Sequence, residues 1–184
     1  MGKRLTLILG GARSGKSSFA ETLAQKRGGD DVLFVATAQA RDDEMRVRIA
    51  HHRTVRRIDW RILEAPMAVA RALESTKPAR VVLLDCVTLW ASNILLANES
   101  TATEAMTHEI EELLAWYRKS SSELIIVSNE VGMGIVPDNA LGRAYRDLLG
   151  AVNRKFAEVA DEVYWLVAGL PVEIKSRAVR VEDL

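Results

Sequence analysis

Residues Gly10-Gly11-Ala12-Arg13-Ser14-Gly15-Lys16-Ser17 fit the pattern G-x-x-x-x-G-K-[ST] at every fixed position. Glycines at that spacing let backbone N–H groups curl around a phosphate, the lysine reaches the β- and γ-phosphates, and the following hydroxyl can ligate Mg²⁺. The chemistry is binding of a nucleoside triphosphate by the whole loop, with Lys16 acting on the transferred group and Ser17 on the metal. A helix starting at Lys16 adds its positive N-terminal end.

A magnesium partner is expected from another strand end. Asp85 closes the apolar run Val81-Val82-Leu83-Leu84 and has the form of a Walker B carboxylate. The same residue also fits a plain turn or N-cap before a helix. Between Arg46 and Arg61 stand six arginines, two histidines and one acid, Asp59. Glu44, Arg48, His52 and Arg56 recur every four residues and line one helix face. Such a face reads three ways: as a solvated charged surface, as guanidinium forks clamping phosphate, or as a histidine kept neutral by its arginines and free to attack phosphorus. A second loop, Ser128-Asn129-Glu130-Val131-Gly132-Met133-Gly134-Ile135-Val136-Pro137, follows an apolar run. Its glycines fit either a ligand-facing loop or a turn that needs positive φ.

Positioning these groups requires a scaffold. Short apolar runs predict strands over 5–9, 32–36, 81–85, 124–128 and 162–167, with weaker ones over 61–63 and 172–174. Helical periodicity predicts helices over 16–26, 42–56, 67–74, 89–97, 103–119 and 139–160; in the last, Leu141, Tyr145, Leu148, Leu149, Val152, Phe156 and Val159 form an apolar stripe. Runs without alternation suit strands buried on both faces, and the β-α-β-α order predicts an α/β fold, a doubly wound, mostly parallel sheet. Sites in such sheets lie beyond the strands' carboxyl ends, here just after Leu9, Ala36, Asp85 and Ser128.

Composition sets the outer bounds. The chain has 184 residues, 48% of them hydrophobic, which predicts one domain over 1–184 with its own core. Lys+Arg and Asp+Glu both number 25, so no blanket binding to nucleic acid or to an anionic membrane is expected. A single cysteine, Cys86, suits a reducing, cytoplasmic setting, and no apolar run approaches membrane-spanning length. Trp90, Trp116 and Trp165 fit either the core or an interface.

Taken together, these residues resemble the bifunctional adenosylcobinamide kinase / adenosylcobinamide-phosphate guanylyltransferase family of cobalamin biosynthesis. The matching pieces are GGARSGKS from Gly10, ATAQ from Ala36, DDEMRVRIAHHR from Asp42, W-x-x-x-E from Trp60, LLDC from Leu83, TLWASN from Thr88, SNEVGMGIVPDN from Ser128 and RAYRDLLGAVN from Arg143. The resemblance implies a P-loop NTPase fold of the RecA-like kind and two reactions. First, ATP or GTP gives its γ-phosphate to the hydroxyl of the aminopropanol arm of adenosylcobinamide. A histidine then attacks the α-phosphate of GTP and passes the guanylyl group to adenosylcobinamide phosphate. In the RI-x-x-H pattern that histidine falls on His52. The resemblance also implies guanine-nucleotide contacts from Ala36, Thr37, Ala38, Arg53, Thr54, Val55, Arg56, Glu64 and Asp85, with Asp85 on either the metal or a ribose hydroxyl, and a homo-oligomer. Two other readings of the same motifs stay open: a single-function small-molecule kinase and a RecA-like ATPase.

Overall fold

The structure, a computed structural model of the chain, describes residues 2–39 and 60–179. In chain order the elements are β1 (Leu5–Gly10), α1 (Lys16–Gly28), β2 (Val32–Ala36), β3 (Arg61–Glu64), α2 (Val69–Glu74), β4 (Val81–Asp85), α3 (Val87–Ala97), α4 (Ala102–Lys119), β5 (Glu123–Val127), α5 (Ala140–Val159), β6 (Glu162–Val167) and β7 (Leu170–Glu173). The expected helix over 42–56 lies outside the described residues.

The strands form one sheet in the order β3-β2-β4-β5-β1-β6-β7, parallel throughout except for β7, which runs antiparallel to β6. Alternation of the pleat sends Leu5, Leu7, Leu33, Val35, Val82, Leu84, Leu124 and Ile126 to one face, where they pack with buried residues of α2, α3, α4 and α5. Ile8, Phe34, Leu83, Ile125 and Val127 go to the other, against Ala20 and Ala24 of α1. Both faces are therefore covered, as a doubly wound parallel sheet requires. With β5 inserted between β1 and β4, the strand order is that of the RecA-like P-loop NTPase fold.

Register places the site. Ala36 pairs with Glu64 on one side and Asp85 on the other, and Asp85 pairs with Val127. The phosphate loop leaves β1 beside them, so the four expected strand ends share one sheet edge.

Three expectations shift. The apolar stripe of α5 is narrower than its periodicity implies, since Leu141 and Val159 near its two ends are 41% and 42% exposed while Leu148, Leu149, Val152 and Phe156 are buried. Trp90 is fully buried in the core, and Trp116 and Trp165 pack half-buried against it. Finally, α2 begins two residues later than expected because Ala68 is left-handed, its N–H and that of Val69 donating to the Glu109 carboxylate from α4 at 2.8 and 3.4 Å.

Candidate active site

The phosphate loop joins β1 to α1. Gly15 sits at the N-cap of α1 with φ 91°, a conformation that favours glycine, and Arg13 is also left-handed. A Cβ on Gly10 would stand 2.7 Å from both the Leu166 carbonyl and the Ser14 hydroxyl, so β6 packs directly on the start of the loop. The β6–β7 turn supports it from the same side, Gly169 N–H donating to the Ser14 carbonyl at 3.0 Å. The buried Ser14 Oγ has no partner among the described residues, an orphan polar atom in a loop built to hold anions.

Lys16 is buried, and its ammonium donates to the Gly11 carbonyl at 2.9 Å, folded back across the loop. Burial pushes its pKa below the ordinary lysine value, while the Cys86 thiolate, once it forms at alkaline pH, and the Asp85 carboxylate oppose the shift. The structure therefore brings Lys16, Asp85 and Cys86 into one electrostatic group. Burial and Asp85 push the Cys86 thiol up to about 11, keeping it protonated near neutrality. The N-cap of α3 is Cys86, with no side-chain cap, so Asp85 does not fill the capping role its position allowed.

The donor set fits Mg²⁺. Ser17 and Asp85 offer hard oxygens, and no group of three His, Cys, Asp or Glu residues able to hold a metal occurs among the described residues. Magnesium is ordinarily held by one or two protein oxygens together with substrate phosphates and water, so two donors suffice.

Behind this edge lies a hydrogen-bonded layer that residue types alone do not reveal. Thr37 Oγ1 donates to the Cys86 carbonyl at 2.7 Å and accepts from Cys86 N–H at 3.0 Å. The Asn93 amide donates to the carbonyls of Thr37 and Pro66 at 2.8 and 3.0 Å. Ser128 Oγ donates to Asn153 Oδ1 at 2.6 Å, and Asn153 Nδ2 donates to the Asn129 carbonyl at 2.9 Å. Asn129 N–H donates to Thr88 Oγ1 at 3.1 Å, and Glu130 N–H donates to the Gly10 carbonyl at 3.1 Å, tying the second loop to the first.

Within that second loop neither Gly132 nor Gly134 has positive φ, so the conformational reading of its glycines fails. Met133, Ile135 and Val136 project to solvent at 74%, 96% and 60% exposure.

A family model described as cobinamide kinase / cobinamide phosphate guanyltransferase, CobU, matches residues 6–174. The chain belongs to this family. It is 46% identical over 170 residues to the bifunctional adenosylcobalamin biosynthesis protein CobP of Pseudomonas aeruginosa, covering 92% of this chain and 96% of that one. It is 40% identical over 184 residues to the bifunctional adenosylcobalamin biosynthesis protein CobU of Escherichia coli, covering 93% of this chain and 99% of that one. Among solved structures it is similar to the RadB recombinase, with 17% identity, a TM-score of 0.49 and coverage of 88% of this chain and 73% of that one.

Membership in the CobU family assigns the chain to the bifunctional kinase and guanylyltransferase class of cobalamin biosynthesis. Of the residues singled out in the sequence, the structure gathers Gly10 to Ser17, Ala36, Thr37, Ala38 and Asp85 at one edge, with Glu64 exposed at the end of β3 beside Ala36. His52, Arg53, Thr54, Val55 and Arg56 lie outside the described residues. Thr37 turns its hydroxyl inward, so its visible task is to join β2 to β4. Asn93 and Asn153, buried amides on α3 and α5, were missed. Their signal in the sequence is a polar residue at a core-facing helical position.

Proposed function

We propose that the chain phosphorylates adenosylcobinamide on its aminopropanol hydroxyl at the expense of ATP or GTP, and then transfers GMP from GTP to adenosylcobinamide phosphate through a guanylylated His52. The observation that carries the nucleotide half of this reading is the complete phosphate loop joining β1 to α1, at the same end of the sheet as Asp85 at the close of β4. Family membership supplies the acceptor.

In the kinase step the acceptor oxygen attacks the γ-phosphorus in line, and Lys16 with the loop amides holds the phosphate oxygens as their charge redistributes. Ser17 and Asp85 would hold Mg²⁺, which offsets negative charge on the triphosphate. In the second step the His52 imidazole displaces pyrophosphate from GTP, forming a phosphorus–nitrogen bond that the acceptor phosphate then breaks. Splitting the transfer this way replaces one reaction between two anions by two displacements. Ala36, Thr37, Ala38, Arg53, Thr54, Val55, Arg56, Glu64 and Asp85 frame the guanine nucleotide in this reading. One domain houses both steps in the cytoplasm, in a homo-oligomer and without nucleic-acid or membrane partners.

Intact-mass analysis after incubation with GTP and Mg²⁺ tests the proposal. A GMP-sized adduct, labile to acid and stable to base, is expected on the wild type and absent from His52→Asn, which retains phosphorylation of adenosylcobinamide. An active kinase that forms no adduct would leave a single-function enzyme. Loss of both activities in a folded His52→Asn protein would overturn the division of roles.

A further inference from the structure

We propose that Glu130 takes the proton from the acceptor hydroxyl during phosphoryl transfer, and that the loop of residues 129–137 is the face over which the acceptor enters. This rests on the kinase reading above and adds the base that reading lacks.

Topology places Glu130. β5 lies between β1, which feeds the phosphate loop, and β4, which ends at Asp85. The β1–β5 ladder continues past the strand, Ser128 N–H donating to the Ile8 carbonyl at 2.9 Å and Glu130 N–H to the Gly10 carbonyl at 3.1 Å. The residues that leave β5 therefore emerge between the phosphate loop, which carries Lys16, and the strand end at Asp85, the two groups that would hold the γ-phosphate and its Mg²⁺. Ser128 is buried and its hydroxyl is committed to Asn153, which leaves Glu130 as the titratable group at that position.

Other acids on this edge are less suited. Asp85 interacts with Lys16 and belongs to the metal set. Glu64 ends β3, two strands from Asp85, or about 10 Å at the ordinary strand spacing. Asp138 stands at the far end of the loop. Glu130 is also oriented: Oε1 accepts from Gly132 N–H at 2.8 Å, and Oε2 has no hydrogen-bond donor among the described residues.

The rest of the loop suits a large acceptor with an apolar face. Its start is pinned by Asn153 and Thr88, and its end by Arg143, which donates to the carbonyls of Pro137 and Asp138 at 3.0 and 2.9 Å. Between these pins Met133, Ile135 and Val136 are exposed, an apolar tip that the fold itself does not use. A Cβ on Gly134 would meet no more than the Val131 carbonyl at 3.7 Å, so neither φ nor internal packing explains that glycine, and bare backbone is left open to a ligand.

The step balances without a further reactant. The hydroxyl oxygen forms its bond to the γ-phosphorus while the bond to the β,γ-bridging oxygen breaks. The nucleoside diphosphate leaves with that electron pair, and the hydroxyl proton passes to the Glu130 carboxylate and then to solvent.

Steady-state phosphorylation of adenosylcobinamide by the full chain provides the test. Glu130→Gln is expected to lower kcat by about 10²- to 10⁴-fold while the KM for ATP stays within about threefold of wild type, the split expected of a proton acceptor. Glu130→Asp recovers part of the rate, and Glu130→Ala is accelerated by added acetate whereas Lys16→Ala is not. Ile135→Ser raises the KM for adenosylcobinamide and not that for ATP. A Glu130→Gln rate within about fivefold of wild type, or an alanine variant indifferent to acetate, overturns the catalytic assignment. An unchanged acceptor KM in Ile135→Ser overturns the entry face. A wild-type chain that phosphorylates no cobinamide overturns the kinase reading instead, so the two failures are distinguishable.

Discussion

Thr37 and Cys86 are joined twice through one hydroxyl, which accepts from Cys86 N–H at 3.0 Å and donates to the Cys86 carbonyl at 2.7 Å. The pairing takes over where the β2–β4 ladder ends at Ala36 and Asp85, and it fixes the backbone directly behind Asp85. Because Thr37 is buried, water cannot replace its hydroxyl. Thr37→Val keeps the shape but strands the Cys86 N–H, whereas the Cys86 carbonyl keeps the Trp90 N–H at 3.3 Å, with an expected loss of about 1–3 kcal/mol in urea unfolding. Thr37→Ser restores most of it. A valine variant as stable as wild type would show that the pairing contributes nothing.

Asp85 also sets the proton affinity of its neighbours, and the signs are opposite in what they favour. Its negative charge stabilises the Lys16 ammonium and disfavours the Cys86 thiolate, so it raises both pKa values. Removing the charge in Asp85→Asn leaves burial less opposed at Lys16. The alkaline limb of kcat/KM for the nucleotide then moves to lower pH, because the ammonium that grips phosphate is lost sooner. At Cys86 the pKa falls from about 11, the thiolate fraction at alkaline pH grows, and alkylation by iodoacetamide followed by mass accelerates. A slower alkylation, or a limb moved upward, would contradict the arrangement.

Legibility in the sequence follows the range of the interaction. The parallel strands were readable because both faces of each are buried, which writes an unbroken apolar run into five or six residues. The phosphate loop was readable because one short segment carries its whole function. By contrast, the later start of α2 depends on Glu109, more than 40 residues away from Ala68 in α4. The exposure of the two ends of the α5 stripe is not legible, because periodicity records a face without recording how far neighbouring elements cover it. β7 was expected as a weak strand, but its antiparallel direction comes from the turn at Ala168 and Gly169, both with positive φ, and alanine gives little warning of that. The layer joining Thr37, Cys86, Ser128, Asn129 and Asn153 unites segments that only the folded sheet brings together.

Two adjacent glycines of the phosphate loop make contrasting predictions. A Cβ on Gly10 would collide at 2.7 Å with the Leu166 carbonyl and with Ser14 Oγ, whereas a Cβ on Gly11 would have nothing within 4 Å. Gly10→Ala must displace either β6 backbone or the buried Ser14, with an expected cost of about 1–3 kcal/mol from overpacking. Gly11→Ala should unfold within about 0.5 kcal/mol of wild type, as open surface substitutions do. Any loss of nucleotide affinity in Gly11→Ala is then a direct effect on the ligand. Equal destabilisation by the two, measured by denaturant titration, would contradict this packing.

At the opposite edge of the sheet, Glu162 gathers Arg27 Nη2 at 2.6 Å, Thr6 Oγ1 at 3.1 Å and Arg4 Nη1 into a partly buried network. Burial alone would raise its pKa, but the hydrogen bond and charge of Arg27, joined by Thr6 and Arg4, outweigh burial and hold it below the ordinary carboxylate value. A carboxyl depressed in the folded state contributes stability that is present above its unfolded pKa, about 4, and is lost as pH falls through the lower folded value. Glu162→Gln is therefore expected to cost about 1.5–3 kcal/mol at pH 7, the range for hydrogen bonds to a charged group. The gap between variant and wild type should close as the pH drops below about 4. Since Glu162 pairs with Thr6 near the start of β1, away from the strand ends that carry the site, kcat/KM for the nucleotide should not change. Urea titrations at a series of pH values check both halves, and a gap that widened in acid would reverse the sign assigned to this carboxylate.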